Sequence, residues 1–358
     1  MSINFDVQPS DNVDAKFDSK TEDIEPIFDP ANDRINLLPI VYPEFWKFVR
    51  DARASYWLAD EIDLHDDVLD WDNKLTPHER RFLEANFSLF LLFERIVIKN
   101  LETDFVEKIT IPEIRAFYRF QEALEDIHEN AYNLFPITFV KDPDRLQEIN
   151  DTVKTFPILG KMTDWCNKWI PKRNESVSGH KNESQKLKEF VTRLVAFVLI
   201  EGIIFSGSFA AIVYMEKRGL MPGLGQMNQL IRRDEALHTE FGIAVYKFLR
   251  VKLSDSEFIE MLEEIVSLSS EWCLESISVS LIGLNAGTMS QYIKFVANQI
   301  SIKMISRPVY QDAPNPFPWM EMISLQGKTN FFDRKVTDYS RVSGNTSSQN
   351  KIVFDTDF

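Results

Sequence analysis

The stretch Leu194–Met215 runs for 22 residues with a single charge, Glu201, at its heart. A membrane span needs ~20 apolar residues, so length alone allows one. A lone acid in mid-bilayer is costly, however, and no other segment reads as a membrane protein. The reading adopted is a helix that is apolar on every side and buried at the centre of a globular domain. Such a helix must be jacketed by others. Glycine is scarce, at 12 of 358 residues, and long stretches carry three- and four-residue hydrophobic steps with no strand framework between them. An all-α chain is therefore expected.

Helical periodicity predicts segments at Tyr42–Ala59, Thr76–Leu101, Pro112–Phe135, Asp142–Phe156, Leu187–Lys217, Met227–Arg250, Asp255–Leu284 and Ala286–Ser306. Thr76-Pro77-His78-Glu79 has the form of a capping box, and Pro43, Pro77 and Pro112 suit first helical turns. Residues 1–40 are acidic, contain several prolines and lack periodicity, so they read as a flexible N-terminal arm. The domain proper is expected at 41–340, with 171–187 as an exposed polar loop and 341–358 as a flexible C-terminal tail.

Four acids sit where acids should not be. Glu94 interrupts the stripe Leu83, Phe87, Phe90, Glu94, Val97, Leu101. A second stripe reads Ile114, Phe117, Gln121, Glu125, His128, Tyr132, Phe135. A third reads Ile231, Glu235, His238, Gly242, Val245, Leu249, and Glu201 lies inside the apolar helix. An ionised carboxylate in such surroundings costs several kcal/mol unless compensated. No lysine or arginine recurs on these stripes to pair with all four. Two divalent cations would balance four carboxylates.

The spacing agrees. Glu125-x-x-His128 and Glu235-x-x-His238 each place a carboxylate and an imidazole one turn apart on one face. Glu94 precedes the first pair by 31 residues and Glu201 precedes the second by 34. A Glu from each of two helices and a Glu-x-x-His from each of two others is the ligand set of ferritin-like dimetal bundles. A single Glu-x-x-His is weak evidence, and the weight lies in the joint pattern. Oxygen-rich ligation with one nitrogen per ion suits iron or manganese better than structural zinc. His65, His78 and His180 lie in polar contexts and read as surface residues.

Tyr132 follows His128 by one turn, beside the expected ions. It is either an ordinary core tyrosine or a redox site. Phe205, Phe209 and Ile231 fall on the facing stripes and would wrap it in inert groups, as a persistent phenoxyl radical requires. The net charge of −15 argues against nucleic acid as a partner. Only Cys166 and Cys273 occur, with no CxxC, which points to a reducing compartment and a cytoplasmic protein. The N-terminus has neither the basic nor the apolar region of a secretory signal.

The segments EDIHENAY (125–132), IEGIIFSGSFA (200–210), KRGLMPGL (217–224), RRDEALH (232–238), GKTNFF (327–332) and FDTDF (354–358) together resemble the small subunit of class I ribonucleotide reductase, of the eukaryotic and large-virus type, over roughly residues 25–358. The resemblance implies a ferritin-like helical bundle with extra helices, usually a homodimer. It implies two iron ions held by Glu94, Glu125, His128, Glu201, Glu235 and His238, and dioxygen activation that leaves a stable radical on Tyr132. It further implies radical transfer through His128, Asp234 and Trp57 to Tyr339 and on to a large subunit that makes deoxyribonucleotides for DNA replication. The tail, with Phe354, Asp355, Asp357 and Phe358, would dock in a groove of that subunit. Without the resemblance, Trp57 and Asp234 read equally as packing and capping groups, and the tail as a plain disordered end.

One departure stands out. The family usually has aspartate where this chain has Glu94. A subgroup with glutamate there uses a manganese/iron pair and has phenylalanine in place of the radical tyrosine, whereas this chain combines Glu94 with Tyr132. An insertion-like loop near 173–185 is a second departure. Two rivals remain at this stage: a partner-free dimetal oxidase of a small molecule or fatty acid, and a non-catalytic scaffold or iron store.

Overall fold

The computed structural model describes residues 24–101, 105–170, 183–276 and 284–323. Among them the regular structure is helical, with no β-strand. The helices are α1 (Pro43–Ala54), α2 (His65–Asn73), α3 (Pro77–Asn100), α4 (Val106–Lys108), α5 (Pro112–Phe139), α6 (Pro143–Asn150), α7 (Thr152–Thr155), α8 (Pro157–Trp169), α9 (Glu183–Leu199), α10 (Phe205–Lys217), α11 (Pro222–Phe248), α12 (Asp255–Ser276) and α13 (Ala286–Ile305). A π-helical turn, Ile200–Ile204, joins α9 to α10.

Most boundaries follow from local chemistry. The Thr76 hydroxyl accepts from the Glu79 N–H, and the Glu79 carboxylate accepts from the Thr76 N–H at 2.7 Å. This closes the expected box and starts α3. Helix α5 runs one turn beyond the expected Phe135, carrying Pro136 within it. Helix α1 stops at Ala54 rather than Ala59, so Trp57 sits in the linker that follows and not on a helix. Helices α2 and α8 lie outside the segments expected from periodicity. The nine residues of α2 are mostly polar, and α8 is short with a glycine inside it.

The centre of the molecule is a four-helix arrangement. Helix α3 packs on α5, α9 and α10 pack on α11, and α11 contacts α5. The run Glu183–Lys217 is long and apolar enough to cross a membrane, yet 94% of its most apolar window is buried inside the protein. Helix α1 covers α5 and α11 from one side, while α8, α12 and α13 cover the other helices.

Helix α11 is fixed at its start by a neighbour rather than by its own cap. Met221 has φ 55° and offers no side-chain cap. Two aspartates of α2 supply acceptors instead. Asp67 accepts from the N–H groups of Gly223 at 2.7 Å and Leu224 at 2.8 Å, and Asp70 accepts from that of Met221 at 2.8 Å. These satisfy donors that a helix N-terminus otherwise leaves open. Gly223 is required for the approach, because a Cβ there would stand 2.3 Å from the Asp63 carbonyl oxygen.

Residues 24–40, assigned to the arm by composition, lie against the bundle. Ile27 is fully buried. Glu25 accepts from the N–H groups of Arg250 and Val251. Arg34 forks onto the buried carboxylate of Glu113 at 2.7 and 2.6 Å. Composition missed this because the anchors are isolated residues whose partners lie some 80 to 225 positions away. Most of the 173–185 loop, together with Tyr339 and the tail residues Phe354, Asp355, Asp357 and Phe358, falls outside the described residues.

Candidate metal centre

The expected acids and histidines converge. Glu94 comes from α3, Glu125 and His128 from α5, Glu201 from the π turn, and Glu235 and His238 from α11. All six residues are at most 2% exposed. They fall into two ligand-sized groups: Glu94, Glu125, His128 and Glu235 in one, and Glu125, Glu201, Glu235 and His238 in the other. Within each group the candidate ligand atoms lie within 4.8 Å of one another. Glu125 and Glu235 belong to both, so each can bridge two ions. Glu94 and Glu201 each belong to one group only, each beside one imidazole, and could each serve a single ion.

Glu125 spans the two groups visibly. Its Oε2 is 3.0 Å from His128 Nδ1, and its Oε1 is 3.0 Å from His238 Nδ1. His128 Nδ1 is also 2.9 Å from Glu235 Oε1. Both histidines therefore turn Nδ1 inward, the nitrogen that would face an ion. Even so, both oxygens of Glu94 and of Glu235, Oε2 of Glu201, and both ring nitrogens of His238 make no well-aligned hydrogen bond. Buried polar groups are ordinarily satisfied, so this cluster of orphans has the character of a ligand set for cations. The residues fit a pair of divalent ions.

The electrostatics agree. Burial, reinforced by the Glu125 charge, pushes the Glu94 carboxyl well above its usual range. Burial and then the Glu235 and Glu125 charges do the same to Glu201. For Glu125 burial is outweighed by His238 and His128, which hold its carboxyl low. Burial disfavours charge on His238, but Glu125 and Glu235 overcome it and raise the imidazole to about 9. Protons thus do the balancing that cations would otherwise do.

Tyr132 is 1% exposed, and its hydroxyl has no hydrogen-bond partner. Burial, and after it the charges of Glu94, Glu235 and Glu125, raise its pKa well above that of a free phenol. Phe205, Phe209 and Ile231 are buried, as expected. The closest ring, however, is Phe90, stacked on Tyr132 at 4.3 Å between centroids and 6° between planes. Phe90 also stacks on Phe205 at 5.8 Å and Phe209 at 5.6 Å, joining the pocket into one aromatic cluster. Its place one turn before Glu94 on the same stripe was the available signal.

On the outer side of His128, Nε2 faces Asp234 Oδ2 at 3.4 Å. Trp57 Nε1 donates to that same oxygen at 2.8 Å, and the indole lies 6.0 Å from the imidazole at 26°. Sequence reasoning gave no role to Arg233. Its Nε donates to Asp234 Oδ1 at 3.0 Å and its NH2 to the Ser55 carbonyl at 2.6 Å, tying the aspartate to the linker that carries Trp57. No spacing rule signals such a contact. Gln121 sat on the α5 stripe but also went without a role. Its Nε2 donates to Glu125 Oε1 and to Glu201 Oε1, each at 3.0 Å.

Comparison with known proteins is consistent with this geometry. Residues 34–316 match the family model described as ribonucleotide reductase, small chain. The protein is 41% identical to the ribonucleoside-diphosphate reductase small subunit of Dictyostelium discoideum, over 94% of its own length and 97% of that relative. It is 39% identical to the ribonucleoside-diphosphate reductase small chain of Trypanosoma brucei brucei, over 93% and 94%. Among solved structures it resembles the Rnr4 ribonucleotide reductase homodimer of Saccharomyces cerevisiae, with TM-score 0.72 and 27% identity, covering 88% of this protein and 93% of that one.

Proposed function

The protein belongs to the ribonucleotide reductase small-chain family, and on that premise we propose that it is the radical-generating subunit of a ribonucleoside-diphosphate reductase. One observation carries the reading: two carboxylate–imidazole groups share Glu125 and Glu235 and lie beside a buried phenol with no partner. Glu94, Glu125, His128, Glu201, Glu235 and His238 would hold two iron ions, or a manganese/iron pair given Glu94. The ions, when bound, supply the activation of dioxygen.

The protein's own part is to place, insulate and connect the oxidised group. Tyr132 would be the group oxidised, its electron and phenolic proton going to dioxygen activated at the ions, and it would keep the resulting radical. Phe90, Phe205, Phe209 and Ile231 exclude water and hydrogen donors from it. Asp234 holds the outer nitrogen of His128 and the indole of Trp57 together, which supports a route from the centre outward for coupled electron and proton movement. Tyr339 would continue that route, and Phe354, Asp355, Asp357 and Phe358 would anchor the tail in the large subunit.

Nucleotide reduction belongs to that large subunit. It needs reactive thiols, and burial pushes both Cys166 and Cys273 up to about 12, where neither is a useful nucleophile. Both thiols are free, which suits a reducing compartment, and the assembly this reading calls for is a cytoplasmic homodimer working with the large subunit. A partner-free oxidase would have no use for the Trp57–Asp234 connection.

Iron loading in air should produce a tyrosyl EPR signal that disappears in the Tyr132→Phe protein. With a large subunit present, removal of residues 350–358 should abolish deoxyribonucleotide formation and leave metal content untouched. A signal that persists in Tyr132→Phe, or full activity without the tail, would overturn the reading.

A further inference from the structure

The two ligand groups are not built alike, and Gln121 is the reason. Its side chain is 1% exposed and lies one turn before Glu125 on α5. A carboxamide nitrogen has two hydrogens to donate. Here both are directed at carboxylates from different helices, Glu125 Oε1 and Glu201 Oε1, each at 3.0 Å. Both of these oxygens belong to the same side of the centre. Glu125 Oε1 is the atom that faces His238, whereas Oε2 faces His128.

The Glu94 side has no such brace, since neither Glu94 oxygen receives a protein donor. The backbone adds to the asymmetry. Glu201 sits in the π turn, where a Cβ on its neighbour Gly202 would stand 2.5 Å from Ile300 Cδ1 and 3.2 Å from Thr239 Cγ2. The turn is wedged between α13 and α11 and has little room to slide. Glu94 rises from an ordinary α-helix.

We propose that Gln121 is a positioning residue that pre-organises the Glu201/His238 half-site and so makes it the first of the two to take up a divalent ion. The inference rests on the dimetal reading above. An ion that binds mobile carboxylates must order them, and a half-site whose carboxylates are already held avoids that cost. A neutral amide suits the task, because it fixes both acids without adding a positive charge that would repel the ion. It also occupies only Oε1 of Glu201 and leaves Oε2 with no partner, ready for a ligand bond.

The test is an anaerobic Mn(II) titration of the metal-free full-length protein, with free Mn(II) read by EPR. The wild type should take two ions per chain in two steps. The tighter step should survive Glu94→Gln and vanish in Glu201→Gln. Gln121→Met removes both donors at nearly constant volume. Placed in the Glu94→Gln background, it should weaken the remaining site by about 10–100-fold. Placed in the Glu201→Gln background, it should leave the remaining site unchanged.

Gln121→Asn keeps a donor but withdraws it, and should weaken the same half-site alone. It serves if the methionine protein does not fold. Equal weakening in both backgrounds would reduce Gln121 to general packing and overturn the proposal, as would no change in either. A tight step that survives Glu201→Gln would overturn the order of filling. A wild type that takes up no Mn(II) would instead remove the dimetal reading, and this inference with it.

Discussion

Trp57 and Asp234 are joined by a 2.8 Å hydrogen bond between residues 177 positions apart, with the indole nitrogen donating to Oδ2. That oxygen also faces the outer nitrogen of His128, and Arg233 holds the other oxygen. The aspartate is buried, yet its pKa is lowered, because His128 and Arg233 outweigh the effect of burial. It is therefore a fixed anion between an imidazole and an indole. Replacing it with alanine should leave the Tyr132 radical formed and its EPR signal present. Deoxyribonucleotide formation with the large subunit should fall by about 10–100-fold. Unchanged turnover in the Asp234→Ala protein would exclude this route.

Phe90 stacks on Tyr132 more closely than any other ring in the described residues. Phe90→Leu keeps most of the volume and removes the stacking, at a cost of about 1 kcal/mol in stability. The radical should still form but decay faster, measured as the half-life of its EPR signal. Tyr132→Phe should change stability little, within about 1 kcal/mol, because the hydroxyl it removes has no partner. A radical equally long-lived in Phe90→Leu would show that the ring is only filler.

The metal-free protein should lose stability as pH rises from neutrality. His238 has a folded-state pKa of about 9, above its ordinary value near 6.5, and that of His128 is also raised. Glu94 and Glu201 are likewise raised, by burial first. Each such group contributes stability that is fully present below its unfolded pKa and is lost as pH climbs through its folded pKa. The lowered acids, Glu125 and Glu235, act only toward acid pH. Between pH 6.5 and 9 the chelated protein should therefore lose stability on the order of a few kcal/mol, read as a falling Tm. Metal-loaded protein should show little change over that range, since ions replace the protons. A chelated Tm that rises toward pH 9 would contradict this charge balance.

The sequence brought out the candidate ligands because they lie on mostly apolar stripes or, for Glu201, inside a wholly apolar helix. Glu94, Glu125, Glu201 and Glu235 are conspicuous on a 3.6-residue period, and His128 and His238 follow at one turn. The central helix was legible from its missing charges. The π turn at Ile200–Ile204 was not, because its residues have the same apolar character as the α-helix around them. The capping of α11 by Asp67 was equally hidden, since its partners lie 156 and 157 residues away. Trp57 illustrates both limits. Its link to Asp234 was implied by resemblance, but its place beyond the end of α1 was masked by helical periodicity that continues past Ala54.

Among the candidate ligands Glu94 is fully buried with no hydrogen-bond donor on either oxygen, whereas Glu235, also without an aligned hydrogen bond, has its Oε1 2.9 Å from His128 Nδ1. The position of Glu94 is set by the reach of its side chain from α3 and by whatever ion it meets. Glu94→Asp removes one methylene and withdraws the carboxylate toward α3. The ion on that side would then be held by Glu125, Glu235 and His128 with a shorter terminal ligand. The expected result is a changed metal preference confined to that half-site, read as the manganese-to-iron ratio after loading from an equimolar mixture. Binding at the Glu201/His238 side should move by less than about threefold, because Gln121 holds that side independently. A ratio identical to wild type would mean that the longer acid at this position does not select the metal. Redistribution on both sides would mean that the bridging carboxylates, and not the terminal one, transmit the choice.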